Sequence, residues 1–244
     1  MISQTFGIHS YCFRQFSNEE FARAAHELGV DNVSLSNVHG RFQEPPGFDE
    51  VLRVYRDANL EISNIGVVGL TGEDSDRHPF EFARRAGTKI LAVNFQPDTF
   101  ERASRQAQEL AEEYDVWCGI HNHGGYHWLG NSEILAHIFK NSGPRLGLFL
   151  DTAWALDARQ NPVQMVQKFG ECLYGIHLKD FVFDRSGQPE DVIVGTGGLD
   201  LPAFVRAVED AGFKGSCTLE YEAEPDNPLP ALLECARAIR SVSA

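Results

Sequence analysis

Positive charge is scarce in this chain. Twenty-one Lys and Arg stand against 35 Asp and Glu, a formal net charge of −14, and no segment gathers the basic residues into a patch that reverses the field. Such a surface repels polyanions, which counts against nucleic acid as a partner. Long apolar runs are missing too. Nothing approaches the roughly 18 consecutive apolar residues of a membrane helix. The opening segment MISQTFGIHSYCF has neither the basic start nor the apolar centre of a signal peptide. These absences predict a soluble, cytoplasmic protein with no membrane partner. Cysteine is sparse: Cys12, Cys118, Cys172, Cys217 and Cys235 are odd in number, have no CxxC spacing, and in three cases sit inside apolar strand-like runs. They read as packing residues. No GxGxxG follows the first strand-like run, which counts against a dinucleotide-binding sheet.

What the chain does have is a rhythm. Short apolar runs alternate with longer amphipathic segments from end to end, the pattern of repeated βα units. Eight strands are predicted: FGIHSY near residue 6, NVSLS near 32, EISNIGVV near 61, KILAVNF near 89, VWCGIHN near 116, LGLFLD near 146, LYGIHL near 173 and SCTLEYE near 216. Between them lie helical segments with recognisable ends. Ser17 and Glu20 have capping-box spacing ahead of FARAAHEL, which Gly29 stops. HPFEFARRA stops at Gly87, and LPAFVRAVEDA, opened by Asp200 and Pro202, stops at Gly212. Eight strands, about as many helices and 244 residues predict a single α/β domain over residues 1–244, a (β/α)8 TIM barrel, for which about 250 residues is typical.

Candidate chemistry concentrates at the ends of the later runs. His121 and His123 in HNH, Asp151 after LGLFL, His177 and Lys179 in HLKD, and Glu220 and Glu222 in TLEYE stand where buried parallel strands emerge, and in a barrel such ends share one mouth. Two imidazoles and two carboxylates from His121, Asp151, His177 and Glu220 suit a divalent metal. Manganese is the first expectation, with zinc, cobalt or magnesium as alternatives. Asp151 also has a simpler reading as the N-cap of the following turn. Lys179 needs a counterion, a neighbouring carboxylate such as Asp180 or Glu222. Trp154 offers a wall for a sugar ring. In the first half His9 and Tyr11, Ser34 and Ser36, Asn64, and Asn94 with Gln96 set small polar groups at strand ends. That array matches a polyhydroxylated ligand, with His9, Asn94, Trp154 and Lys179 as its expected contacts. His39 and Arg41 read as a solvent-exposed loop, and GTGGLD as a loop shaping the mouth, weak as a phosphate cradle.

HNH, LDTAW, IHLKD and VGTGGLDLPAFVRAVEDAGFKGSCTLEYE together resemble the xylose-isomerase-like barrel superfamily of sugar phosphate isomerases and epimerases. That superfamily also contains inosose dehydratases, hydroxypyruvate isomerases, ketose 3-epimerases and an apurinic endonuclease. The resemblance covers the C-terminal half by motif and the N-terminal half by strand rhythm. It implies a metal held by a Glu after the fifth strand, an Asp after the sixth, a His after the seventh and a Glu after the eighth. The last three fall on Asp151, His177 and Glu220. His121 stands where the family usually has Glu, with His123 as the alternative ligand. Trp154 replaces a second His common in epimerases and the endonuclease, which implies one metal. The implied reaction is proton abstraction α to a carbonyl of a sugar, keto-sugar or polyol. Glu220 is the base, His123 or Glu222 its partner, and Lys179 holds the oxyanion. Elimination or cleavage of a keto-sugar shares the first step, and a sugar-binding barrel without turnover is the non-enzymatic reading. A homo-oligomer stays open.

Overall fold

Each predicted strand run forms a strand. The computed structural model describes residues 2–242. Its strands, in chain order, are β1 (Gly7–His9), β2 (Asn32–Leu35), β3 (Glu61–Leu70), β4 (Ile90–Phe95), β5 (Trp117–His121), β6 (Leu146–Asp151), β7 (Leu173–Leu178), β8 (Phe181–Phe183), β9 (Pro189–Asp191) and β10 (Ser216–Leu219). Eight of these close into a parallel barrel in the order β1-β10-β7-β6-β5-β4-β3-β2. The fold is a single (β/α)8 barrel. Because neighbouring strands run parallel, every C-terminal end opens on the same face, and that face collects the polar residues that finish each apolar run.

The connecting helices form as their ends predict. Helix Asn18–Leu28 begins at a reciprocal capping box: the Ser17 hydroxyl accepts from the Glu20 N–H, and the Glu20 carboxylate accepts from the Ser17 N–H at 2.8 Å. Its buried face is Phe21, Ala24, Ala25 and Leu28, spaced by three and four, and Gly29 ends it at φ +69°. Helix Leu201–Asp210 opens on Asp200, whose carboxylate accepts from the Ala203 N–H at 3.0 Å. Cys12, Cys118, Cys217 and Cys235 are buried and unpaired, and Cys172 is half-buried. No helix among the described residues is long and apolar enough to cross a membrane.

Two elements depart from expectation. The last barrel strand stops at Leu219, so Glu220 and Glu222 lie on the segment leaving the barrel; the Glu220 N–H still donates to the Leu178 carbonyl at 3.1 Å, which holds its start against β7. A small antiparallel hairpin, β8 with β9, follows β7. Its turn is built by Asp184, whose carboxylate accepts from the N–H groups of Ser186 and Gln188 at 2.7 and 2.9 Å. The hairpin folds Asp191 back over the end of β7, which matters for Lys179.

Candidate metal centre

Alternation along the strands sends every second residue into the barrel. On β5 these are Gly119 and His121, on β6 Phe149 and Asp151, and on β7 Gly175 and His177. Register pairs Asp151 with His177 and His177 with Thr218, two residues before Glu220. One potential donor atom from each of His121, Asp151, His177 and Glu220 lies within 4.8 Å of the other three, and all four residues are buried. Donors bound about 2.0–2.2 Å from one ion lie roughly 3–4.4 Å apart, so the four are within a small adjustment of a single ion's span.

The polar accounting inside this cluster points the same way. Asp151 Oδ2, His177 Nδ1 and His177 Nε2 are buried with no hydrogen bond. His177 Nδ1 is 2.9 Å from Glu220 Oε2 but lacks the alignment of a hydrogen bond, and His121 Nε2 is 3.6 Å from Asp151 Oδ2. A buried carboxylate without partners costs several kcal/mol. Bound as ligands, two carboxylates and two neutral imidazoles would carry a charge of −2, which a divalent cation balances. The residues present fit such an ion.

The two readings of Asp151 hold together. One oxygen, Oδ1, accepts from the Trp154 N–H at 2.8 Å and caps helix Thr152–Asp157, while Oδ2 is left for the cluster. Three further contacts fix the ligand-bearing ends. Asn122 clasps the Asp151 backbone from both sides. The Thr152 hydroxyl donates to the Lys179 carbonyl at 2.5 Å and accepts from the Lys179 N–H at 2.9 Å, tying β6 to the end of β7. Phe149 forms the floor, its ring edge-on to His177 at 4.7 Å between centroids. Gly175 makes room for it: a Cβ there would lie 2.2 Å from the Phe149 ring.

His121, not His123, belongs to the cluster. His123 sits one step outside, its ring 5.2 Å from His121 and 4.4 Å from His127, with Nε2 buried and unpartnered. Burial and the neighbouring His121 and His127 lower its pKa to about 4, so the ring is neutral near pH 7. Lys179, 1% exposed, is caged. It hydrogen-bonds to Glu222, stands 3.7 Å from Asp191, and has the rings of Trp154 and Phe181 at 5.4 and 5.3 Å. Burial opposes its charge, but Glu220, Asp151, Glu222 and Asp191 outweigh that and hold the ammonium above its usual range. Burial also opposes the charge of Glu220, and His177 and Lys179 overcome it, keeping the carboxylate ionised.

Other expectations are corrected. The partner of Lys179 is Glu222, joined by Asp191, and not Asp180. Asp180 instead accepts from the N–H groups of Gly195, Gly197 and Leu199 at 2.9–3.0 Å. That consumes the donors a phosphate would need from GTGGLD, so the loop is a strut and not a cradle. His39 is buried, its Nε2 3.1 Å from the Phe16 carbonyl, so it is a core residue; Arg41 is exposed. Ser34 and Asn64 do not face a ligand freely: Ser34 donates to Asn64 at 2.6 Å, and Ser10 and Ser36 bond to each other. The Asn94 side-chain carbonyl accepts from the Phe95 N–H at 2.8 Å. His9 joins the cluster's edge, its Nε2 3.9 Å from Glu220 Oε1 and its ring 4.4 Å from that of His177. Burial, and then His177, press its pKa down to about 3.

Comparison with known proteins agrees with this geometry. Residues 22–242 match the family described as xylose isomerase-like TIM barrel. The chain belongs to that family. An alignment 150 positions long, covering 54% of this chain and 46% of the relative, is 23% identical to the rhizopine catabolism protein MocC of Rhizobium meliloti, so the chain spans about half the length of that relative. The 3-keto-D-glucoside 4-epimerase YcjR from E. coli superposes with a TM-score of 0.75 at 15% identity, covering 97% of this chain and 99% of its own. The IolI protein, crystallised with a zinc atom, gives 0.75 at 14% identity and covers 96% of each chain. At such identities the likeness to these structures is one of fold.

Proposed function

We propose that the protein is a divalent-metal-dependent isomerase or epimerase of a sugar, keto-sugar or polyol, acting by proton abstraction α to a carbonyl. The observation that carries this reading is the convergence of His121, Asp151, His177 and Glu220, in which buried polar atoms of His121, Asp151 and His177 have no hydrogen-bond partner. When bound, a divalent ion, manganese in the first instance, supplies Lewis-acid stabilisation of charge on the oxygen beside the reacting carbon.

The chain's own residues supply the rest. Glu220, held ionised beside Lys179, takes the proton from carbon. Neutral His123, its Nε2 unused by the protein, serves as the second acid–base group. Glu222 is committed to Lys179 and acts through it, keeping the ammonium aimed and charged as an oxyanion forms. Trp154 walls the same space and carries Lys179 over its ring. Asn94, whose side-chain oxygen accepts from the Phe95 N–H, and His9 remain the first-half contacts for ligand hydroxyls.

The test is solvent exchange. Manganese-loaded protein incubated in deuterated water with a panel of ketoses and keto-sugars is expected to incorporate deuterium at the carbon next to the carbonyl, and Glu220→Gln to abolish it. Full metal occupancy without exchange on any member of the panel would overturn the proposal.

A further inference from the structure

A chain of hydrogen bonds runs through the barrel interior to His9, and its polarity is set at the far end. The Ser63 hydroxyl lies 3.3 Å from the Val33 carbonyl oxygen, which can only accept, so Ser63 donates there. The Ser216 hydroxyl, 2.9 Å away, must then donate to Ser63. Ser216 therefore accepts from the Asn64 amide N–H at 2.8 Å. That turns the Asn64 carbonyl oxygen toward Ser34, whose hydroxyl donates to it at 2.6 Å. With its one proton spent, Ser34 can only accept from His9 Nδ1, 2.8 Å away. His9, Ser34, Asn64 and Ser216 are buried, and Ser63, at the far end of the relay, is half-buried.

We infer that this relay locks His9 as the Nδ1–H tautomer, and that its bare Nε2 is a fixed acceptor for a ligand hydroxyl at the edge of the metal cluster. Ser63, Ser216, Asn64 and Ser34 are positioning residues. Nε2 faces Glu220 Oε1 at 3.9 Å. Neither atom carries a proton to share, so this pair can take a donor placed between or beside them. A hydroxyl of a sugar or polyol supplies one, a carbonyl or ether oxygen does not. The other tautomer would present a donor to Glu220 and could only donate to a ligand hydroxyl, never accept from it. The hydroxyl assignment rests on the proposed substrate class, whereas the tautomer rests on the relay alone.

Long-range proton–nitrogen NMR of the metal-free full chain, labelled with 15N in its histidine rings, reads the tautomer directly. His9→Gln identifies the resonances. The wild-type ring is expected to carry its proton on Nδ1. Ser63→Ala, four bonds removed from the ring, cuts the anchor and frees the relay to reverse, so the population protonated at Nε2 is expected to rise. Titration with a panel of pentitols and hexitols is expected to move the wild-type Nε2 resonance in the direction of an accepted hydrogen bond. A wild-type ring protonated at Nε2, or a Ser63→Ala ring identical to wild type, overturns the relay. An Nε2 that no sugar alcohol moves overturns the acceptor role. Failure of deuterium exchange on the loaded enzyme, with these spectra as expected, would remove the enzymatic reading and leave this one intact.

Discussion

Asn122 and Asp151 hold each other across the ends of β5 and β6. The Asn122 amide donates to the Asp151 carbonyl at 3.0 Å, and the Asp151 N–H donates to the Asn122 side-chain oxygen at 2.8 Å. Both residues are fully buried. The clasp sets the backbone from which the Asp151 carboxylate enters the cluster, so the middle residue of HNH acts on the metal centre without touching it.

Asn122→Ala is therefore expected to do two things. Two buried backbone groups lose their partner, at about 1–3 kcal/mol each, and Asp151 loses its aim, for which a fall of roughly 10–100-fold in metal affinity is usual. Urea unfolding of metal-free protein measures the first, and titration calorimetry with manganese the second. Unchanged affinity would show that the clasp serves stability alone.

Lys179→Met removes the ammonium and leaves Glu222, Asp191 and Glu220 facing one another. An uncompensated buried charge costs about 3–5 kcal/mol. The double variant Lys179→Met/Glu222→Gln is expected to recover part of this, because the charge bonded to the ammonium is gone with it. Denaturant midpoints of the two variants decide the matter; equal midpoints would contradict the cage.

Asp191 gives a pH signature. Burial raises its carboxyl to about 7, although Lys179 pulls the other way. The folded state thus keeps a proton that the unfolded chain releases near pH 4. The unfolded state binds fewer protons across this window, so stability is full below about pH 4 and falls as pH rises to about 7. Asp191→Asn is expected to flatten the dependence between about pH 4 and 7 in metal-free protein. A slope that survives the substitution belongs to another group.

Gly175→Ala places a methyl 2.2 Å from the Phe149 ring, and overpacking of this kind costs about 1–3 kcal/mol. Phe149 packs on His177 at 4.7 Å, so the strain reaches a ligand and metal affinity falls with stability. Adding Phe149→Leu is expected to relieve both. Calorimetric titration of the single and double variants checks it.

The four converging residues are legible in the sequence because each ends an apolar run, and burial on a parallel strand leaves a polar terminal residue one exit, the barrel mouth. The motif resemblance names the same positions. Lys179 was legible as needing a counterion, but Asp191 was not: it arrives through a polar hairpin, DRSGQPED, with no apolar alternation to announce a strand. The Asp184 and Gly187 turn pattern was the available signal. For Ser34 and Asn64, strand position tells that a polar group points inward, not that a neighbouring strand already satisfies it. His39 was misplaced on the surface for the same reason: its acceptor, the Phe16 carbonyl, is distant in sequence.

Anomalous diffraction from crystals grown with manganese tests the central claim most directly. One strong peak is predicted, about 2.0–2.2 Å from donor atoms of His121, Asp151, His177 and Glu220 together. A barrel mouth with no peak, or an ion held by His123 while His121 stands clear, would contradict it.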